Sequence, residues 1–299
     1  MIVSPAFRGK RYAVLGLARS GIATVRSLVA SGADVVAWDS KEEARTVVGE
    51  GVTLADPLEI DLTGFDGVVV SPGVPINRHP IADKAHAANL PLIGDIELFS
   101  QARASLPPHK VIGITGTNGK STTTALIHHI IETAGIPARL GGNIGLPILG
   151  QDPLPEGGVY VLELSSYQID LCHALDCDIA VLLNITPDHL DRYDGFADYA
   201  ASKERLFTMQ HVDKVAVIAT EDDRTKMIAS RVNHRLMRVS SKQVGDQSRW
   251  PSLQGPHNAQ NVAAARAVAE VLGIKAATVE EGLLTYPGLP HRMERVREL

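Results

Sequence analysis

The chain has 299 residues, enough for two domains that each bury a core. A formal net charge of −5 gives no bulk field for holding nucleic acid, and no apolar run reaches the roughly 18 residues of a membrane span. The two cysteines, Cys172 and Cys177, are too few for a disulfide framework and the N-terminus MIVSPAFRGKRYAV lacks a signal-peptide core, so the expected setting is a reducing cytoplasm.

In chain order, RYAVLGL reads as a buried strand, SGIATVRSLVASG as a helix closed by Gly32, and DVVAW as the next strand. This opening is Rossmann-like, with Asp39 ending the second strand where an acidic residue often meets a ribose. The glycine signature is incomplete. GLARSG supplies Gly16 and Gly21 but no middle glycine to let a pyrophosphate approach, which disfavours NAD and leaves room for another nucleotide. VVVSPGVP ends a further strand in a Pro-Gly turn, so Ser71, Pro72 and Gly73 stand at the ligand-facing edge of the sheet or form a plain turn. The polar, proline-bearing SQARASLPPHK reads as a linker near residues 100–109. It divides a Rossmann-like unit, residues 1–100, from a second α/β unit, residues 101–291, of P-loop type with a mostly parallel sheet.

The second unit opens with VIGITGTNGKSTTT, which misses the strict G-x-x-x-x-G-K-[ST] pattern because Ile114 stands where the first glycine belongs. Gly113 lies one place earlier and Gly116 lies inside the loop. A phosphate site needs a strand, a tight turn of amides, a lysine, a hydroxyl and a helix N-terminus, and all five are present. Lys120 would meet the β- and γ-phosphates and Ser121 would ligate Mg²⁺. The helix STTTALIHHIIETAG runs to Gly135, with His128 and His129 far down it as structural residues. GVYVLELSSYQID supplies a strand ending in Glu163, and DIAVLLNITPDHLD a strand running into Asp188 and His189. Ligands gather at the carboxyl ends of parallel strands, so Thr115, Glu163 and His189 should border one crevice and could hold a divalent metal. A turn cap for Glu163 and a helix start for His189 are the plainer alternatives, and Asp188 and Asp191 read as turn and cap residues. CHALDCD suggests buried thiols and not zinc, having no second ligand cluster. FADYAASKERLF is a helix whose Lys203, taken alone, is a solvated charge.

Together, GLARSG, SPGVP, GITGTNGKSTTT, GGNIG, ELSSYQID, NITPDHLDRY, YAASKERLF, GPHNAQNVAAA and GLPHRME resemble the Mur ligases of peptidoglycan synthesis along the whole chain. The phosphate loop is shared with a wider superfamily that includes folylpolyglutamate synthase. GGNIG, ELSSYQID and DHLDRY are more specific and are most similar to the D-glutamate-adding branch.

The resemblance implies an ATP- and Mg²⁺-dependent amide-bond ligase, with Mn²⁺ as an alternative ion. It would join D-glutamate to UDP-N-acetylmuramoyl-L-alanine through an acyl phosphate, as a monomer, away from membranes and nucleic acid. It further implies that Gly116, Thr117, Asn118, Gly119, Lys120, Ser121 and Thr122 hold ATP phosphates, that Asn258 and Asn261 meet adenine, and that Arg292 reaches the phosphates. Lys203 falls where the family carries a carbamylated lysine, so Lys203, Ser121, Glu163 and His189 form the implied metal set, with Lys120 among the catalytic residues. Leu17, Ala18, Arg19, Asp39, Ser40, Lys41, Ser71, Pro72, Gly73 and Asn143 are the implied UDP-substrate residues. Family members carry a third, C-terminal domain, and HRMERVREL falls about where it begins. The family's amino-acid site lies largely on that domain, so with 292–299 as its start this chain is expected to bind the UDP-sugar peptide and, weakly, ATP, and to turn over poorly or not at all. The rival readings are another ligase of the superfamily, a non-catalytic nucleotide-binding module and an NAD-dependent oxidoreductase.

Overall fold

The computed structural model describes residues 1–188 and 192–289, so the predicted His189 and Arg292 lie outside the described residues. The first half runs β1 (Arg11–Leu15), α1 (Arg19–Ala30), β2 (Asp34–Trp38), α2 (Glu42–Thr46), β3 (Val52–Leu54), β4 (Gly67–Val70), α3 (Ile81–Ala87), β5 (Leu92–Ile93) and α4 (Asp95–Ala102). The second begins with β6 (His109–Thr115), α5 (Lys120–Thr133), β7 (Ala138–Gly142), β8 (Gly158–Glu163), α6 (Ser166–Asp170) and β9 (Ile179–Leu182). It continues with α7 (Phe196–Thr208), β10 (Val215–Ala219), α8 (Asp223–Arg231), β11 (Arg235–Val239), α9 (Pro256–Val271) and α10 (Ala276–Thr285).

Among the described residues these strands form two all-parallel sheets, ordered β3-β2-β1-β4-β5 and β11-β10-β9-β6-β8-β7. Near-continuous runs of Val, Ile, Leu and Ala explain this, because a parallel strand is covered by helices on both faces. Val68, Val70, Val161 and Val181 are fully buried, as such strands require. Each sheet has a point where the strand order reverses, at β1/β4 in the first and around β6 in the second, and ligands enter α/β sheets at such points.

Gly16 sits at a backbone φ of +91°, and Gly21 in the first turn of α1 lies so close that an added Cβ would overlap the Gly16 carbonyl. Both glycines in GLARSG therefore serve the tight strand-to-helix turn and close helix packing.

Two sequence-based boundaries differ from the structure. The predicted linker near 100–109 is mostly helical, since α4 continues to Ala102 and a 3₁₀ turn covers Arg103–Ser105. Phe99 and Ala102 are buried, and Arg103 donates to Asp178 Oδ2 at 3.0 Å and to the Asp176 carbonyl, so this polar stretch is locked to the second sheet. Only 106–108 connect it to β6. The strand expected to run into Asp188 and His189 ends instead at Leu182. Beyond it the backbone still follows β6, with Leu183 N donating to Thr115 O at 3.1 Å, before Pro187 interrupts.

Candidate active site and substrate cleft

The loop after β6 wraps onto α5 with Gly119 at φ +84°, a left-handed position that suits glycine. Lys120 is the first residue of α5, and its Nζ donates to Thr117 O at 2.8 Å across the loop. Ser121 follows, nearly buried, at a helix N-terminus whose first amides have no partner within the helix. Backbone amides, lysine and hydroxyl are thus assembled as an anion site despite the displaced glycine.

Glu163 ends β8, in register with Ile114 of β6, and is 1 % exposed. Its Oε1 accepts from Asn143 Nδ2 at 2.8 Å, and Asn143 N donates to the Glu163 carbonyl at 2.9 Å. Its Oε2 is buried with no hydrogen-bond partner among the described residues. A carboxylate oxygen in that state is costly unless a cation meets it, so the site fits a hard divalent ion. Asn143 can adopt this pose because Gly142 turns at φ +89° against the Glu163 backbone.

Lys203, on α7, is 1 % exposed, and its Nζ donates to Gly116 O at 2.9 Å and lies 4.6 Å from the Tyr199 ring centroid. Burial, reinforced by the nearby Lys120 charge, pushes its pKa down to about 7, against the opposing pull of Asp188 and Asp170. It is therefore a buried amine beside the phosphate loop, and the solvated-charge alternative is excluded by its position. Asn258 and Asn261 lie in the first turns of α9, and Asn261 Nδ2 donates to Asn258 Oδ1 at 3.1 Å. Asn261 packs against Gly119, where a Cβ would collide with its Oδ1.

Across from this site, a cavity of about 530 Å³ lies between the two halves. Ala18, Arg19, Asp39, Lys41, Ser71, Pro72 and Gly73 line it from the first half, and Asn143 and Gln168 from the second. A neighbouring hollow of about 280 Å³ takes in Ser40 together with Asp39 and Trp38. The Asp39 carboxylate accepts from Leu17 N at 2.7 Å and Lys41 N at 2.9 Å, so it fixes the two loops that frame the cavity. Leu17 itself is buried in the core and contributes its backbone there. Ser71 Oγ donates to Gly16 O at 2.8 Å, and Arg19 reaches over to donate to Gly145 O at 3.0 Å.

Sequence reasoning missed several residues here. Asp95, at the start of α4, lines the same cavity, and burial pushes its carboxyl up to about 6. A second interdomain cavity of about 590 Å³, lined by Arg78, Tyr167, Arg192 and Tyr193, adjoins it through the shared Pro72 and Val74. Tyr193 packs edge-on against Tyr199, so this cavity backs onto the Lys203 pocket. The DHLDRY run contains two of these residues, but nothing in its spacing reveals what they face.

His128 and His129 are structural as expected, with His128 beside Glu132 at 3.2 Å and His129 bonded to Thr285 Oγ1 at 2.9 Å. Cys172 and Cys177 are buried thiols, and burial pushes Cys177 up to about 12.

A phosphate loop beside a buried carboxylate, facing a cleft shared with a Rossmann-like sheet, is the architecture of a Mur-type ligase. Residues 114–252 match the family model described as the Mur ligase middle domain. The UDP-N-acetylmuramoylalanine–D-glutamate ligase of Sphingopyxis alaskensis is 67 % identical over 301 residues, spanning 100 % of this chain and 69 % of that protein. The Zymomonas mobilis protein of the same name is 55 % identical, spanning 100 % of this chain and 71 % of that protein. A solved UDP-N-acetylmuramate:L-alanyl-gamma-D-glutamyl-meso-diaminopimelate ligase from Neisseria meningitides shares the fold with a TM-score of 0.63 at 18 % identity. That match covers 94 % of this chain and 99 % of that one. The chain belongs to the UDP-N-acetylmuramoylalanine–D-glutamate ligase family.

Proposed function

We propose that this chain carries the ATP and UDP-substrate sites of an enzyme that activates the alanyl carboxylate of UDP-N-acetylmuramoyl-L-alanine with ATP and joins it to the amine of D-glutamate, a step of peptidoglycan precursor synthesis. A carboxylate resists attack by an amine until its charge is masked. One carboxylate oxygen attacks the γ-phosphorus of ATP, the bond from that phosphorus to the β–γ bridging oxygen breaks, and ADP leaves with the electron pair. The amine of D-glutamate then adds to the acyl phosphate, loses a proton, and expels inorganic phosphate to leave the amide.

Residues 101–291 serve as the ATP-binding unit and residues 1–100, with the loop carrying Asn143, as the UDP-substrate unit. Lys120 and the helix-start amides of the 116–122 loop neutralise charge on the transferring phosphoryl group, which is where most of the catalysis comes from. Asn258 and Asn261 meet the adenine edge, with Arg292 completing the phosphate contacts. Ala18, Arg19, Ser71, Pro72 and Gly73 hold the diphosphate, Leu17, Asp39, Ser40 and Lys41 shape the uridine end, and Asn143 orients the sugar-peptide end.

Ser121, Glu163, His189 and a carbamylated Lys203 would hold Mg²⁺ or Mn²⁺, which when bound supplies positive charge to the phosphate oxygens. A low-pKa, buried amine is chemically suited to add CO₂, and the product is an anion where an ammonium would repel a cation. The reading places the work in the cytoplasm, where ATP and the nucleotide-linked precursor are available, and takes the chain as a monomer. Among the described residues no helix is long and apolar enough to cross a membrane.

The observation that carries the reading is the orphaned Glu163 Oε2 beside a complete phosphate loop, opposite a cavity that both halves build. Calorimetric titration tests it. UDP-N-acetylmuramoyl-L-alanine should bind saturably and more tightly than UDP, and a folate should not bind. Absence of UDP-substrate binding by folded protein overturns the substrate assignment.

A further inference from the structure

Asn184, on the segment leaving β9, holds the phosphate loop through three atoms. Its carbonyl accepts from Thr117 N at 2.8 Å, its Oδ1 accepts from Asn118 N at 2.8 Å, and its Nδ2 donates to Asn118 O at 3.1 Å. The same amide donates to Gln260 Oε1 on α9 at 2.8 Å. Gln260 donates onward to Glu221 Oε2, and Glu221 Oε1 accepts from Ser241 N at 2.5 Å. The chain of bonds therefore runs from the loop, through the helix, to the backbone beyond β11. Gln260 stands between Asn258 and Asn261, and Asn261 touches the loop at Gly119.

We propose that Asn184 and Gln260 are positioning residues that lock the phosphate loop to the start of α9, so that the phosphates and the base of a nucleotide are held by one hydrogen-bonded unit. This rests on the ATP-site reading above. Anion binding needs amides aimed at one point, and Asn184 decides which ones are available. It consumes the N–H groups of Thr117 and Asn118, which leaves the helix-start amides after Gly119 to face phosphate. Gln260 fixes the distance between that nest and the adenine-facing asparagines. Without the clamp the loop must be ordered by the ligand itself, and affinity falls by the cost of that ordering.

The test is titration of Mg²⁺-ADP into wild-type protein, Asn184→Ala, Gln260→Leu and the double variant, with thermal melts as the fold control and UDP as a second ligand. Asn184→Ala should weaken ADP about tenfold and Gln260→Leu about threefold, while UDP affinity stays within about twofold. The double variant should be no weaker than Asn184→Ala, because both changes break one connected unit. Asn184→Leu keeps the size without adding charge and gives up both the acceptor for Asn118 N and the amide donations, so it serves if the alanine variant does not fold, and the same tenfold loss is expected. ADP affinity within about twofold of wild type in a folded Asn184 variant, or losses that multiply in the double variant, overturns the proposal. A wild-type chain that binds UDP but not ADP overturns the ATP-site reading on which it rests.

Discussion

Glu163 shows the tension at the residue scale, because one of its oxygens has no partner among the described residues and the other holds Asn143. Glu163→Gln removes the buried charge while keeping an oxygen for Asn143. The variant should be as stable as the wild type or more so, yet ADP affinity should no longer respond to Mg²⁺. A melt and paired titrations with and without the metal check both halves of that expectation. Asp95 offers a second case with a defined sign. Its folded pKa near 6 lies above the ordinary carboxyl value of 3.8, so between these values the folded state holds a proton that the unfolded state has lost. Stability therefore falls as pH rises from about 4 to 6, and the penalty persists above that range. Asp95→Asn should gain up to about 3 kcal/mol in denaturant titrations at pH 7.5 and almost nothing at pH 4. Lys120, Ser121 and Glu163 were legible in the sequence because a strand, a glycine turn and a helix start fix where such residues point. Asn184, Asp95 and Tyr193 were not, since their roles come from partners far away along the chain, and Lys203 became readable only through resemblance.

Among the elements, α1 is seated by Gly21, whose added Cβ would overlap the Gly16 carbonyl. Alanine there would gain helix propensity of about 1 kcal/mol, but the clash is with backbone that cannot swing aside. Overpacking of this kind costs about 1–3 kcal/mol, so the clash should win. Gly21→Ala should lower the stability of the first half and abolish UDP binding, because Gly16 and Ser71 frame the cavity together, and ADP titration should remain close to wild type. Differential melts with each ligand read the two effects separately. The alternation of strands and helices was legible at this scale from apolar runs and glycine stops such as Gly32 and Gly135. The end of α4 was not. Its residues 100–105 look like a linker by composition, and what ties them to the fold is tertiary: the burial of Ala102, the Arg103–Asp178 pair, and Ser100 Oγ donating to the Ala174 carbonyl.

At the scale of the whole molecule, one apolar core crosses from Val14 and Val69 in the first sheet, through Ile96 and Phe99 of α4, to Val111 and Leu162 in the second. Backbone bonds reinforce the seam, from Ile2 N to Leu149 O at 3.0 Å and from Gly94 N to Leu171 O at 3.1 Å. The cleft lined by Arg19, Asp39, Ser71 and Asn143 is therefore a fixed interface between halves and not a gap between two tethered bodies. A ligand that reaches only the first half should then be distinguishable from one that spans the seam. UDP should protect backbone amides near 16–19, 39–41 and 71–73 from hydrogen exchange. UDP-N-acetylmuramoyl-L-alanine should protect those and also 142–145 and 165–168, because the proposed function puts its sugar-peptide end by Asn143, on the way to the phosphate loop. Ligand held at 100 times its Kd adds about 2.7 kcal/mol to the state that binds it, enough to slow exchange roughly a hundredfold wherever opening requires its release. Equal protection of the second set by UDP alone would place the sugar end elsewhere, and with it the route by which the carboxylate meets ATP.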